Sequence, residues 1–342
     1  MRGFWPLIFL FTFYWFGSTR LLRLVLAVIY VSASLRVCLG LVGYFWPRVL
    51  YIPVISFVFP AAYSGGVDLR ESALVLVPVA FCYARLAQSR IKSLFHVLMI
   101  ILGGGLVLLG GSRVSLGVFC AIALCWAAFH KRFVLLSTIA LSLLGSVLFL
   151  SSDSTVLNPM PRLVRRTLSI LVIPGPNSEV HKMVASSDYW HRHLMRRAAE
   201  RWLESPRSFL VGHRVQSFDE AAFLGMSADM RVKAEVAAGM GSYEAGLWTV
   251  LAVLGLCGAI LYVLLFWWLL RDVVFVLLRD GVCDYRHAFY FLAVSGALIW
   301  VVFCWIVGHF PSWQLMLAVI AKAAYEDSRH EAQTNEAEET IT

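Results

Sequence analysis

Charge is what this chain has least of. Only 15% of its 342 residues are Asp, Glu, Lys or Arg, while 60% are hydrophobic, so the proportions of an ordinary soluble domain are missing. No Asp or Glu occurs in any of the long apolar stretches, which counts against a pump or channel that moves ions along inward-facing acids. Strict apolar/polar alternation is also lacking, which excludes a membrane barrel and leaves helices, because backbone groups in hydrocarbon must be hydrogen-bonded within the chain. Seven cysteines, at Cys38, Cys82, Cys120, Cys125, Cys257, Cys283 and Cys304, show no paired short spacing of a metal site and read as small buried hydrophobes. There is no phosphate-binding glycine loop, dinucleotide fingerprint, His-Glu-x-x-His zinc helix or Gly-x-Ser-x-Gly elbow. Solenoid repeats and low-complexity blocks are likewise missing. No small-residue cleavage site follows the apolar run that begins after Met1-Arg2, so a retained first span is expected.

What is present is apolar length. Stretches at 4–17, 24–46, 49–65, 72–88, 93–110, 114–129, 133–151, 246–270, 287–307 and 312–325 predict an all-α, polytopic integral membrane bundle of about ten spans, several of them short for a hydrocarbon core of about 30 Å. Twelve Trp, twelve Tyr and 23 Phe suit such a bundle, since aromatic rings gather at the two interfaces and between helices. With the first residue inside, the short loops of one side receive Arg48, Arg85, Arg90, Lys92, Lys131, Arg132, Arg271, Arg279, Arg286 and Lys322, and those of the other Arg20, Arg23, Arg70 and Arg113. Basic residues in short loops favour the cytoplasm, so both termini are expected inside. The domains expected are N-terminal spans over 1–151, a large outer-face loop over 152–245, C-terminal spans over 246–325, and a disordered acidic cytoplasmic tail over 326–342. The net charge of +8 is scattered over spans and one loop, which points to anionic lipid or an anionic substrate rather than nucleic acid.

The large loop holds twelve Lys and Arg residues against ten carboxylates. Within it Ser187-Asp188 resembles a helix start, and Trp190, Leu194, Ala198 and Trp202 recur every four residues until Ser205-Pro206. This predicts an amphipathic helix whose stripe packs on the bundle or in the headgroup layer, with Arg192, His193, Arg196, Arg197 and Arg201 on its flanks. Ten residues or more beyond Arg201 come Gly212, His213 and Arg214, where the glycine permits a turn.

Two readings stand for each candidate. Arg113, after Gly111-Ser112, either snorkels to headgroup phosphate or clamps a phosphate with the planar fork of its guanidinium. The loop arginines are either solvated surface charges or converge on one anion. Glu244, in Gly241-Ser242-Tyr243-Glu244 ahead of a span, either complements a helix dipole or serves as a general base with a raised pKa. His191 and His193 lie on different faces of a helix and make a weak metal pair; His213, beside the glycine turn and Arg214, is the better acid or base.

These features resemble the O-antigen ligases and the O-antigen or capsule polymerases of bacterial envelopes. The resemblance rests on Gly111-Ser112-Arg113 at the start of a span, the long outer loop two spans later, the Arg201 to Gly212 spacing, and the return through Ser242-Tyr243-Glu244 to Gly255-x-x-Gly258. It covers about residues 93–325. It implies a glycosyltransferase of the cytoplasmic membrane that uses a polyprenyl-diphosphate-linked saccharide as donor and needs neither metal nor cofactor. Arg113, Arg192, Arg196, Arg201 and Arg214 would hold the diphosphate, and Glu244 or His213 would take the proton of the acceptor hydroxyl. The implied partners are that donor, a glycan or lipid acceptor, membrane lipid and envelope-assembly proteins. Ligases of this kind often carry His-Asn where this chain has Glu244-Ala245, and usually more spans, which favours a polymerase. A transporter or flippase of lipid-linked saccharides and a non-enzymatic membrane subunit are the alternatives. The first would need a continuous polar path, and the second would tolerate loss of single arginines.

Overall fold

The computed structural model describes residues 19–46, 67–110, 113–172, 179–213, 247–305 and 312–341. Among them the chain is helical with no strand. The helices are α1 (Thr19–Phe45), α2 (Val67–Leu86), α3 (Arg90–Leu109), α4 (Arg113–Phe129), α5 (Phe133–Ser152), α6 (Arg162–Leu168), α7 (Glu179–Trp202), α8 (Pro206–Val211), α9 (Leu247–Asp280), α10 (Tyr285–Trp305) and α11 (Ser312–Ile341). Among the described residues four segments are long and apolar enough to cross a membrane: Arg20–Val42, Arg90–Leu109, Phe133–Ser152 and Leu247–Asp280. Ser72–Leu86 and Arg113–Phe129 are apolar but shorter. The stretches at 4–17 and 49–65 lie outside the described residues.

The chain divides into two compact units, one of Met1–Pro174, Leu270–Gly296 and Met316–Thr342, the other of Gly175–Leu269 and Ala297–Leu315. In the first unit α2 is central and packs against α1, α3 and α4. Its sequence explains this place: Ala73, Leu74, Leu76, Val77, Val79, Ala80 and Cys82 cover every side of the helix and all are fully buried. Gly103 lets α3 approach, since a Cβ there would lie 2.9 Å from Val77 Cγ2. The outward faces of α3 and α5 are apolar as well, with Leu94, Phe95, Phe133 and Val134 exposed, the last by 83%. Exposed apolar faces of that kind are foreign to water and suit lipid.

Short α6 packs against α3 and α4. Thr167 Oγ1 donates to the Leu108 carbonyl at 2.9 Å, adding a tertiary bond at the end of α3 to the cap bond from the Gly110 N–H. At another place in this unit Trp126 stacks on Phe81 with centroids 5.3 Å apart and meets Phe291 edge-on at 5.0 Å. There the Cys82 thiol points its proton at the Ala288 carbonyl, 3.7 Å away.

Three expectations from the sequence are corrected. Lys322 is not in a short loop: it lies within α11, 7% exposed, and its ammonium holds Asp272 at 2.5 Å and Glu326 at 2.7 Å. An ammonium so placed needs paired carboxylates, which is why Asp272 stands just past the apolar part of α9. The tail does not lose its order at Glu326, because α11 runs on to Ile341. Once a helix is nucleated each added residue needs no new nucleus, and the Ala and Glu of this segment are good helix formers; Arg286 Nη2 also meets Glu331 at 3.4 Å. Finally, α7 starts at Glu179, eight residues ahead of Ser187, since nothing between Glu179 and Asp188 breaks a helix.

Candidate functional site

The second unit carries the residues that the sequence marks for chemistry, Arg113 apart. Leu194 and Ala198 of α7 are fully buried, so the stripe that repeats every four residues is a packing face. Trp202 closes it: its Nε1 donates to the Phe209 carbonyl at 3.0 Å, its ring stacks on Phe209 at 4.9 Å, and Trp248 of α9 meets it edge-on at 6.1 Å. The corner between α7 and α8 follows from Ser205-Pro206-Arg207-Ser208. The Ser205 hydroxyl accepts the Ser208 N–H while the Ser208 hydroxyl accepts the Ser205 N–H, a reciprocal capping box with Pro206 at the first helical position.

The turn after α8 is locked to α9 through backbone. Gly212 has φ +76° and Gly255, inside α9, has φ +66° with ψ −176°, which interrupts the helix there. A Cβ on Gly212 would overlap the Val253 carbonyl and lie 2.6 Å from the Gly255 nitrogen; one on Gly255 would overlap the Leu210 carbonyl and lie 2.5 Å from the Gly212 nitrogen. Each glycine is therefore required twice, by its dihedral and by the other chain segment. The break in α9 frees backbone acceptors, and one of them, the Ala252 carbonyl, takes the His213 N–H at 2.7 Å.

That bond sets the position of His213. Its Nε2 lies 2.7 Å from the Arg201 carbonyl and 3.4 Å from Glu204 Oε2, and Glu204 Oε2 is 3.5 Å from Arg201 Nη1. A carbonyl only accepts, so Nε2 carries the proton and Nδ1 keeps a lone pair. The imidazole is one-third exposed. The arrangement leaves an imidazole lone pair at Nδ1 on a segment where Glu204 contacts both the imidazole and the Arg201 guanidinium.

The other loop arginines spread over the surface of α7. At 100° per residue Arg196 stands opposite the buried stripe and Arg201 beside it. The Arg196 side chain is 81% exposed and bonds Glu200 at 2.9 Å; Arg197 bonds the other oxygen of Glu200 at the same distance. Those two hydrogen bonds, Arg196 first, hold the Glu200 carboxyl below the usual range. Arg192 is exposed on the Arg196 side. Over residues 189–213 four arginines on α7 stand with Arg207 against two glutamates, so positive charge is in excess along this segment. Arg113 heads α4 and belongs to the first unit. Arg214 and Glu244, like Gly111, Ser112, Ser242 and Tyr243, lie outside the described residues. Of the candidates, Arg201 and His213 are thus brought together, while Arg196 and Arg192 point elsewhere.

A second grouping went unnoticed in the sequence. Cys283, Asp284 and His287, between α9 and the first turn of α10, offer a sulfur, an oxygen and a nitrogen that all lie within 4.8 Å of one another, a grouping of metal-ligand type among the described residues. Cys283 is exposed, unlike a small hydrophobe. The signal was present as Cys-Asp-x-x-His at a helix start, where positions four apart return to one side. Its spacing is not that of a paired-cysteine motif, so a search for such pairs passes over it. Asp284 is drawn down to about 2, first by its hydrogen bond from the His287 side chain.

Comparison of the chain with protein-family models, with curated proteins and with solved structures found no match.

Proposed function

We propose that this chain is a membrane glycosyltransferase of cell-surface polysaccharide assembly, of the polymerase type, which transfers glycan from a polyprenyl-diphosphate-linked donor at the outer face of a bacterial cytoplasmic membrane. In this reading the bundle has about ten spans, both termini are cytoplasmic, and the segment 152–245 faces outward with α7 on the membrane surface. The observation that carries it is the placement of His213 against Arg201 by the Gly212–Gly255 crossing. The acceptor hydroxyl gives its proton to His213 Nδ1 as its oxygen bonds the anomeric carbon. The bond from that carbon to the diphosphate oxygen breaks, and the diphosphate leaves with the electron pair. Guanidinium groups, Arg201 first, neutralise the charge that develops on it. Arg214 would add to the clamp, and Glu244 is the other candidate base. The long apolar helices support the lipid-linked donor, because its polyprenyl chain needs a hydrocarbon phase.

The test is glycan assembly in cells and in vesicles that hold purified protein, donor and acceptor with no energy source. His213→Gln keeps a side-chain N–H for the Arg201 carbonyl but has no base, and is expected to slow transfer by about 100-fold or more. Arg201→Ala should abolish product at unchanged protein level. Normal product from Arg201→Ala and His213→Gln would sink the proposal, and product in cells with none in energy-free vesicles would favour a transporter.

A further inference from the structure

Outside this site the structure presents a thiol, a carboxylate and an imidazole around one nitrogen. His287 Nδ1 lies 2.8 Å from Asp284 Oδ1 and 3.3 Å from Cys283 Sγ. Capping accounts for part of this: Asp284 Oδ1 also accepts the His287 N–H at 2.8 Å, as an N-cap of α10 should. It accounts neither for the cysteine on the same nitrogen nor for His287 Nε2, which is buried with no hydrogen-bond partner and has Asp280 Oδ2 4.0 Å away. A ring whose one nitrogen faces two further donors and whose other faces a carboxylate is arranged like a metal-bound histidine with an outer carboxylate behind it.

From this the geometry points to a binding site for a divalent transition metal of zinc type, ligated by Cys283 Sγ, Asp284 Oδ1 and His287 Nδ1, with Asp280 behind the ring. Ligand atoms about 2.0–2.3 Å from a tetrahedral ion are separated by roughly 3.3–3.7 Å, so a small opening of the present contacts admits the ion. On binding, the Cys283 thiol releases its proton to solvent, and the Nδ1 proton leaves while Nε2 takes one up toward Asp280. A thiolate and a carboxylate then cancel the charge of the ion, and three protein ligands leave a fourth position for water. The ion would clip the turn from Asp280 to Tyr285, where Gly281 has φ +69° and α9 is joined to α10 by this short connection. The choice of a soft-tolerant ion follows from the donors: sulfur and imidazole do not suit magnesium or calcium. This inference stands apart from the glycan-transfer proposal and shares no residue with it.

The test uses full-length protein in detergent, freed of metal with a chelator and titrated with Co²⁺ as the probe, then with Zn²⁺ in competition. One equivalent of Co²⁺ should bind with an intense near-ultraviolet thiolate-to-cobalt band, and Zn²⁺ should displace it. Cys283→Ser should erase the band, and Asp280→Asn should weaken binding about 10- to 100-fold while the band keeps its form. Asp284→Asn retains a capping side chain and should also weaken binding, so a purely capping role is recognised by unchanged affinity. Absence of the band in the wild type, its survival in Cys283→Ser, or unchanged affinity in Asp284→Asn would each overturn the assignment. If Cys283→Ser fails to fold, His287→Gln read against the same band decides in its place.

Discussion

In the first unit Lys322 is buried between Asp272 and Glu326, whereas in the second the arginines of α7 stand at the surface, where Glu200 and Glu204 hold three of them by ordinary exposed pairs. The first arrangement is committed: an ammonium out of water keeps its partners because losing them strands a charge. The second is available, since a screened surface pair is worth little and an anionic ligand of higher charge can replace it. Rigidity is distributed the other way round. The helix that bears the surface arginines is followed, after α8, by a backbone crossing that tolerates no side chain at Gly212 or Gly255, so exposed charges of the second unit stand beside a joint that cannot adjust.

The comparison breaks most completely at that joint. Gly212→Ala and Gly255→Ala should each destabilise the protein by about 4 kcal/mol or more, as positive φ and backbone overlap act together, and thermal unfolding in detergent would show it. Gly105 and Gly145, where an added methyl would meet nothing within 4 Å, are the controls; alanine there should change stability by no more than about 1 kcal/mol, in the stabilising direction for a helix interior. Next comes the buried ammonium. Lys322→Met should cost about 3 kcal/mol by leaving Asp272 with Arg271 as its remaining cation partner at 3.0 Å, and adding Asp272→Leu should recover most of the loss; a double variant no better than the single one would show the pair is not what holds α9 to α11 in this unit. Ser205→Ala removes one half of the capping box and should cost about 1 kcal/mol.

The smallest effect belongs to Glu200. Its folded pKa is depressed, so its contribution is present above the ordinary Glu value of about 4.3 and is lost as pH falls through the lower folded value. Unfolding followed downward from about pH 5 should therefore show a slight acid-dependent loss in the wild type that Glu200→Gln lacks, and salt should erase the difference. A large difference at high salt would mean that the surface pairs of α7 are structural after all, and the contrast between the units would narrow.

Much of the second unit was legible beforehand, and the reason is periodicity. Leu194, Ala198 and Trp202 recur at a helical interval, and Ser205-Pro206 is a stop followed by a start, so helix, buried face and corner can be read without a structure. The beginning of α7 was harder, because Ser187-Asp188 is as good an N-cap in sequence as many real ones and a helix that passes through it leaves no mark. Lys322 was misplaced for a related reason: charge suggests a loop until a partner 50 residues away is known. The Arg201 to Gly212 spacing was visible, but its meaning was not, since Gly255 lies far along the chain.

By itself the sequence determined the helical class, the apolar lengths suited to a membrane, and the amphipathic character of α7, because each depends on neighbours within a few turns and on the free energy of placing apolar side chains out of water. Only the tertiary structure decided that Gly212 meets Gly255, that His213 turns its Nε2 to Arg201, that Lys322 joins Asp272, and that Cys283, Asp284 and His287 face one another. Those outcomes depend on how closely separate segments approach and on which way polar atoms point when they do, and nothing in local spacing carries either quantity.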